Sequence, residues 1–78
     1  MTITLLKKPQ CPQCKATERY FDRRGINYTA EDFNDETLSL ARSLGYSAAP
    51  VVLVKDKSGE LIDSWFGFRP ECIRKYAI

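Results

Sequence analysis

The sequence predicts an α/β domain in which a mixed four-stranded sheet is flanked by three helices, in the order β-α-β-α-β-β-α. Short apolar runs alternate with amphipathic segments of helical spacing as far as residue 54. Two apolar runs in the second half are separated only by a turn, as in a hairpin. At 78 residues the chain can build one core only, so we expect residues 1–78 to form a single domain.

The first predicted unit is a buried strand followed by a helix. Thr2–Leu6 is short, β-branched and apolar, which is typical of a strand. Pro12–Arg24 is predicted to be a helix. Proline suits the first helical position, and Cys14, Thr17 and Phe21 are spaced so that they share one face. Gly25 is expected to end this helix.

The second unit repeats this order with different signals. Residues 26–30 alternate between apolar and polar side chains, a period of two that predicts a strand. Asn34 can cap the helix that follows, and the two acidic residues after it suit the positive end of the helix dipole. Leu38, Ala41 and Leu44 form the predicted apolar stripe.

The remaining elements are a hairpin and a short helix. Pro50–Val54 is a continuous apolar run, typical of a central strand covered on both faces. The turn "KDKSGE" leads to a further strand, Leu61–Phe66, and Pro70 opens a last helix that contains Ile73 and Tyr76. The residues read purely as core are Tyr20, Phe21, Leu44 and Val51–Val54.

Composition and charge exclude several classes of protein. The net charge is only +2, with six cations against two acids in residues 1–25 and four acids against Arg42 in residues 26–46. This polarised distribution lacks the clustered cations and interleaved aromatics of a nucleic-acid surface. No apolar run approaches the roughly 20 residues that span a bilayer, and the N-terminus does not resemble a secretory signal. We therefore expect a cytoplasmic monomer without a membrane or nucleic-acid partner.

The motif that carries chemistry is the Cys-x-x-Cys of "KPQCPQCK", residues 8–15. Cys11 falls at the predicted helix N-terminus, where unpaired N–H groups and the helix dipole stabilise a thiolate, and Lys8 and Lys15 add positive charge. We expect the pKa of Cys11 to lie below the free-thiol value of about 8.5. Cys14, one turn further along the helix, then suits a resolving thiol, and Pro12 stiffens the turn between them.

Two other interpretations of the motif were weighed against a redox dithiol. A disulfide that staples so short a loop stabilises little, and disulfide scaffolds use an even set of four or more cysteines. A structural zinc ion takes four Cys or His ligands, whereas the chain has no histidine and only Cys72 beyond the pair. We therefore expect no metal site within one chain. Cys72 itself is interpreted as a buried small hydrophobe rather than a regulatory thiol.

Three blocks of sequence, "KPQCPQCKAT", "AAPVV" and "WFGFRPE", resemble the NrdH-type redoxins over nearly the whole chain. These are glutaredoxin-like proteins that behave functionally like thioredoxins. The resemblance implies a thioredoxin/glutaredoxin fold with a cis Pro50 beside the dithiol. It also implies that the backbone of Ala49 pairs with an extended substrate segment, in the manner of an added strand.

The resemblance implies a function in electron delivery. The reduced dithiol would reduce the disulfide of the large subunit of class Ib ribonucleotide reductase, and thioredoxin reductase would restore it with electrons from NADPH. No cofactor would be bound, because the carrier is the reversible Cys11–Cys14 disulfide. The alternatives are a glutathione-dependent glutaredoxin, a general protein disulfide reductase or, in a different class, a non-catalytic metal-binding or adaptor module.

The resemblance also implies a partner surface around the two cysteines. Its expected members are Lys8, Pro12, Gln13, Ala49, Pro50, Trp65, Phe66, Gly67, Phe68 and Arg69. Phe66 departs from the family pattern, which has a small residue at this position. Trp65 and Phe68 fit a partner surface or the core about equally well. Arg69 either bonds to the active-site loop or is a solvated helix-start residue.

Overall fold

The computed structural model describes residues 1–77 and has the predicted order of elements. Its strands are β1 (Thr2–Lys7), β2 (Thr29–Asp32), β3 (Val51–Lys55) and β4 (Leu61–Phe66). Its helices are α1 (Pro12–Arg23), α2 (Asp35–Ser43) and α3 (Pro70–Ile73), and a 3₁₀ turn, Arg74–Tyr76, continues α3. No helix within the described part of the chain is both long and apolar enough to cross a membrane.

The four strands form one mixed sheet, as predicted, and their order in the sheet is β2-β1-β3-β4. β1 and β2 are parallel, because α1 carries the chain back across the sheet between them, and the other two pairs are antiparallel. Leu6 at the end of β1 pairs with Val51 at the start of β3. The loop after β1, which leads to Cys11 and Cys14 at the start of α1, therefore lies beside the residues that precede β3.

The helices divide between the two faces of the sheet, and β3 is buried on both. Phe21 of α1 and Ile73 of α3 pack with Trp65 on one face. Ala41 of α2 packs with Leu53 on the other face. The continuous apolar run of β3 reflects this double coverage.

The second strand starts later than the alternating pattern predicted. β2 begins at Thr29, whereas Ile26 and Tyr28 belong to the connection and pack against the core. The N–H of Ile26 still donates to the carbonyl oxygen of Phe21 at 3.0 Å, so the chain remains bonded to the end of α1 at this point. The Tyr28 ring stacks on Phe21, with ring centroids 4.7 Å apart. The apolar side chains of the predicted strand are thus buried without entering the sheet.

The Asn34 cap is confirmed, and the apolar stripe of α2 is confirmed in part. The side chain of Asn34 accepts a hydrogen bond from the Thr37 N–H at 2.9 Å, and the Thr37 hydroxyl accepts one from the Asn34 N–H at 2.8 Å. Ala41 is buried and Leu44 packs against the same cluster, but Leu38 is 39% exposed. One turn of such a short helix faces solvent instead of the sheet.

Tyr20 was predicted as a core residue, and this is only partly right. Its ring packs against the edge of the cluster formed by α1, α3 and the sheet. Its hydroxyl lies at the surface, where Arg24 and Arg74 donate to it. A phenol at the rim of a core can bury its ring and leave its polar end in water.

Candidate active site

Cys11 begins the helix that carries the dithiol. It occupies the N-cap position with extended backbone angles (φ −116°, ψ 100°), and Pro12 takes the first helical position. Its Sγ accepts a hydrogen bond from the Cys14 backbone N–H at 3.1 Å. The sulfur therefore occupies the place of a capping oxygen, where it satisfies one of the unpaired N–H groups of the first turn.

Cys11 and Cys14 form a disulfide, with their Cα atoms 5.2 Å apart. Both residues are largely buried in this oxidised state, at 5% and 2% exposure. They line a cavity of about 330 Å³ together with Lys8 and Lys15, the two cations expected to add to the local positive potential. The arrangement favours negative charge on sulfur when the bond is reduced.

Pro50 is joined to Ala49 by a cis peptide bond, as the family resemblance implied. It is buried at the start of β3, and its carbonyl oxygen accepts the Gly67 N–H at 2.8 Å. The pairing of Leu6 with Val51 brings this proline to the end of the sheet where the cysteine loop lies. Ala49 is half-buried, next to the dithiol end of the sheet.

The segment after β4 is tied to the dithiol by a side chain that lies between the two cysteines. The Oε1 of Gln13 accepts the Phe68 N–H at 3.2 Å across a separation of 55 residues. Gly67 has φ +80°, and a Cβ at this position would meet the Gln13 Oε1 at 3.4 Å. The positive φ, rather than a lack of space, therefore favours glycine at this position.

The three aromatic residues of the predicted partner surface differ in exposure. Trp65 is 3% exposed and belongs to the core, where it stacks on Tyr76. Phe66 is 43% exposed and Phe68 is 37% exposed. Only Phe66 and Phe68 can therefore meet a partner directly.

The polar members of the predicted surface are found at the rim. Lys8, Pro12 and Gln13 are exposed. Arg69 forms an ion pair with Glu71 in the first turn of α3. The hydrogen bond from this segment to the dithiol motif is donated by the Phe68 backbone N–H to Gln13, rather than by Arg69. This outcome corresponds to the second of the two roles weighed for Arg69, a residue at the start of the helix.

The third cysteine lies away from the dithiol. Cys72 is free and partly buried, and it packs against the core cluster that contains Ile73. Within residues 1–77, no group of three or more Cys, Asp or Glu side chains is placed to hold a metal ion. The sulfur atoms of Cys11 and Cys14 are bonded to each other in the disulfide.

Sequence reasoning did not identify the charged residues behind the dithiol. Lys7 and Glu18 form an ion pair at 3.5 Å and, with Asp32, line the same cavity as the cysteines. Lys7 lies opposite Asp32 in the register of the parallel strands β1 and β2. The parallel register that brings them together is a tertiary feature, although Glu18 could have been noticed four residues after Cys14, on the same side of the helix.

Comparison with known proteins identifies the family of the chain. The family model for glutaredoxin matches residues 3–58. The glutaredoxin-like protein NrdH of Escherichia coli K12 is 32% identical over 77 residues, which covers 96% of this chain and 88% of that protein. The same values hold for NrdH of Salmonella typhimurium.

Solved structures extend the comparison to the fold. The structure of NrdH-redoxin from Escherichia coli superposes with a TM-score of 0.82, at 32% identity, and covers 96% of this chain and 93% of that one. A glutaredoxin from Archaeoglobus fulgidus gives a TM-score of 0.66 at 20% identity, covering 95% of this chain and 83% of its own. The chain has the thioredoxin-like fold and belongs to the glutaredoxin family of thiol-disulfide oxidoreductases, among the NrdH-type redoxins.

Proposed function

We propose that this redoxin delivers electrons to class Ib ribonucleotide reductase and is itself reduced by thioredoxin reductase at the expense of NADPH. The observation that carries the dithiol chemistry is the Cys11 sulfur at the start of α1, which accepts the Cys14 N–H at 3.1 Å. The choice of partners is supported by the 32% identity to NrdH of Escherichia coli. We place the carrier in the cytoplasm and expect it to act as a monomer.

The reaction assigns different roles to the two cysteines. The Cys11 thiolate attacks one sulfur of the partner disulfide, forms a mixed disulfide and releases the other partner sulfur as a thiolate. Cys14 then loses its proton and attacks the Cys11 sulfur, which releases the second partner thiolate and closes the Cys11–Cys14 disulfide. The two partner thiolates take up protons. Two electrons have passed from the redoxin to the partner, and no other oxidant or reductant is needed.

The partner segment is proposed to bind beside Pro50. Ala49 offers backbone groups next to the disulfide, where an extended segment can pair as an added strand. A groove of about 360 Å³ continues from Ala49 along α2, lined among others by Phe33 and Leu38. The exposed Leu38, a member of the predicted apolar stripe of α2, supplies apolar surface to this groove.

Thioredoxin reductase is favoured over glutathione as the source of electrons. The related NrdH-redoxin of Escherichia coli is described as having a thioredoxin-like activity profile. The segment from Trp65 to Pro70 occupies the place at which, by the family resemblance, glutaredoxins hold glutathione. In this chain the segment is hydrogen-bonded to the first turn of α1, because the Phe68 N–H donates to Gln13. We therefore expect glutathione to be a poor reductant.

A reductase assay tests the choice of electron source. Oxidised protein is mixed with NADPH and either thioredoxin reductase or glutathione with glutathione reductase, and NADPH oxidation is followed by absorbance. We expect rapid turnover with thioredoxin reductase and little with glutathione. Rapid reduction by glutathione alone would identify a glutathione-dependent glutaredoxin. Cys11→Ser is the matched inactive protein, since it removes the attacking sulfur.

A second assay tests the electron acceptor. Purified class Ib ribonucleotide reductase is supplied with the redoxin, thioredoxin reductase and NADPH, and deoxyribonucleotide formation is measured. Formation that requires Cys11 supports the proposal. Efficient reduction of unrelated protein disulfides without ribonucleotide reductase activity would favour a general disulfide reductase. Elemental analysis of the reduced protein tests the metal-binding alternative.

A further inference from the structure

Two arginines converge on one exposed tyrosine hydroxyl, on the face of the sheet that α1 and α3 cover. The Arg24 Nη2 donates to the Tyr20 hydroxyl oxygen at 3.0 Å, and the Arg74 Nη1 approaches the same oxygen at 3.4 Å. The Arg24 guanidinium also lies over the Tyr20 ring, 5.2 Å from its centroid. A guanidinium carries five donors, so each arginine keeps most of its hydrogen-bonding capacity.

These two cations have no acidic partner among residues 1–77. The ion pairs of the described chain join Lys7 to Glu18, Arg69 to Glu71 and Lys75 to Asp63. Arg24 and Arg74 are both exposed, and their shared acceptor is a neutral phenol. A carboxylate would be a stronger acceptor than a phenol for either guanidinium, because it is charged and accepts in bidentate geometry.

The surrounding segments strengthen the positive potential. α1 with its C-terminal Arg24 carries four cations against two acids, and residues 69–76 carry three cations against one acid. On the opposite face of the sheet, α2 has two acids against one cation, and the edge strand β2 has two acids and no cation. The face of the sheet covered by α1 and α3 is therefore more positively charged than the part of the molecule formed by α2 and β2.

The cationic pair adjoins the dithiol through an exposed aromatic side chain. The Tyr20 ring meets the Phe68 ring edge to face, with centroids 5.9 Å apart. The backbone N–H of Phe68 donates to Gln13, between the two cysteines. Phe68, Tyr20, Arg24 and Arg74 form one surface, here called the α1/α3 patch, that begins beside the disulfide.

We propose that the α1/α3 patch is an electrostatic docking surface for an acidic segment of the protein whose disulfide the redoxin exchanges with. Carboxylates of the partner bind Arg24 and Arg74, an apolar group covers Phe68, and the partner sulfur is thereby held near Cys11. This proposal rests on the proposed function, since it concerns recognition of the redox partner. Charge complementarity of this kind acts mainly on the rate of encounter and on specificity.

The test uses three activated cysteine substrates and one matched control variant. Two peptides of about twelve residues, long enough to reach from Cys11 to the patch, carry either glutamates or glutamines around a cysteine joined to a neutral thiopyridyl group. The third substrate is a small uncharged thiopyridyl disulfide. Reduced protein is mixed with each, and thiopyridone release gives the second-order rate constant. Arg24→Gln/Arg74→Gln is compared with Lys55→Gln/Lys57→Gln, which removes equal charge at and after the end of β3 that lies away from the dithiol.

We expect the wild-type protein at about 20 mM salt to react roughly tenfold faster with the glutamate peptide than with the glutamine peptide. The preference should fall below about twofold at about 0.5 M salt, where the Debye length is only a few ångströms. The arginine double variant should lose most of the preference at low salt, and the lysine double variant should keep it. Unchanged rates with the small disulfide show that the arginine variant retains a folded active site.

Three outcomes would overturn the inference. The wild-type protein could show no preference for the glutamate peptide, or the two double variants could lose it equally. Arginine-dependent binding of a labelled single-stranded oligonucleotide, tighter than that of the glutamate peptide in the same anisotropy assay, would reassign the surface to nucleic acid. Failure of the wild-type protein to react with the small disulfide would instead refute the proposed function itself, so the two failures are distinguishable.

Discussion

Cys11 has two roles at the residue scale: it caps α1 and supplies the proposed nucleophile. In the oxidised state its sulfur accepts the Cys14 N–H. On reduction, the same N–H and the helix dipole favour the thiolate over the thiol. Under the proposed function, one sequence position sets both where the helix starts and which sulfur ionises first.

The ionisation of Cys11 gives the first prediction. In the variant Cys14→Ser/Cys72→Ala, Cys11 is the only thiol. We expect the pH profile of its alkylation rate to have a midpoint at least about one unit below the free-thiol value of about 8.5. The same variant unfolded in guanidinium chloride is the control and should titrate near the free-thiol value. Identical midpoints in both conditions would contradict the role of the helix N-terminus.

Cys14→Ser also gives the second prediction, on the resolving step. Cys11 should still attack a protein disulfide, but the mixed disulfide should accumulate because no second sulfur displaces the partner. Mass spectrometry after mixing with a disulfide substrate, in the Cys72→Ala background, checks this. An adduct in the Cys11→Ser variant instead would reverse the assignment of the two sulfurs.

A polar contact far from the dithiol gives a pH prediction. Asp63 accepts the Tyr76 hydroxyl at 2.6 Å and Lys75 at 3.1 Å. Partial burial raises the pKa of Asp63, but the hydrogen bonds from Tyr76, Lys75 and the Ser64 N–H, with the charge of Lys75, together outweigh it, so its pKa is lowered overall. Burial, followed by the bond to Asp63, raises the pKa of Tyr76 to about 12.

The signs of these shifts fix where the contact stabilises the fold. The Asp63 contribution is present above its unfolded pKa of about 4 and is lost as the pH falls through the lower folded value. The Tyr76 contribution is present below about pH 10 and is lost as the pH rises towards 12. We expect Asp63→Asn to lower the free energy of unfolding at neutral pH by about 1–2 kcal/mol, and this difference to shrink in acid. Urea unfolding across the pH range measures it, and a constant difference would contradict the assignment.

At the scale of elements, a hydrogen bond between α1 and the segment after β4 joins that segment to the dithiol motif. Gln13→Ala removes the acceptor of the Phe68 N–H. The expected cost is about 0.5–1.5 kcal/mol of stability, together with faster hydrogen exchange at Phe68. The elements themselves should persist, because Trp65 and Ile73 anchor β4 and α3 in the core.

Hydrogen exchange followed by NMR measures the Gln13→Ala effect amide by amide. Gln10→Ala, in the exposed loop before Cys11, is a control that leaves the Phe68 N–H bonded. Unchanged exchange at Phe68 in Gln13→Ala would show that this contact does not hold the segment. We also expect Gln13→Ala to slow reduction by thioredoxin reductase, if the segment forms part of the partner surface.

At the scale of the whole molecule, both faces of the sheet share the central strand β3. Loss of packing on one face would expose Val52 and Val54, and loss of packing on the other would expose Val51 and Leu53 of the same strand. We therefore predict one cooperative unfolding transition for the chain, as expected of a single domain of 78 residues. Trp65 fluorescence and far-UV circular dichroism should give coincident urea curves, with an m-value of about 1 kcal/mol/M. Separated curves would contradict a single domain.

The order of elements and the position of the dithiol could be predicted from sequence because their signals are local. Pro12 and Asn34 mark helix starts within a few residues, and the unbroken apolar run of β3 reports burial on both faces. The errors were local as well. Tyr28 and Leu38 each follow the apolar pattern of the predicted element. Tyr28 packs on the core without entering the sheet, and Leu38 stays exposed, because the packing of neighbouring segments decides which apolar side chains are covered.

The sequence by itself determined that this protein has a dithiol at the start of a helix, because a cysteine, a proline and the helical spacing after them lie within one turn. Only the tertiary structure decided what surrounds that dithiol. The Gln13–Phe68 hydrogen bond, the Lys7–Glu18 ion pair and the contact of Arg74 with Tyr20 each join residues of different elements. Such contacts follow from strand register and helix packing, which local propensity does not encode.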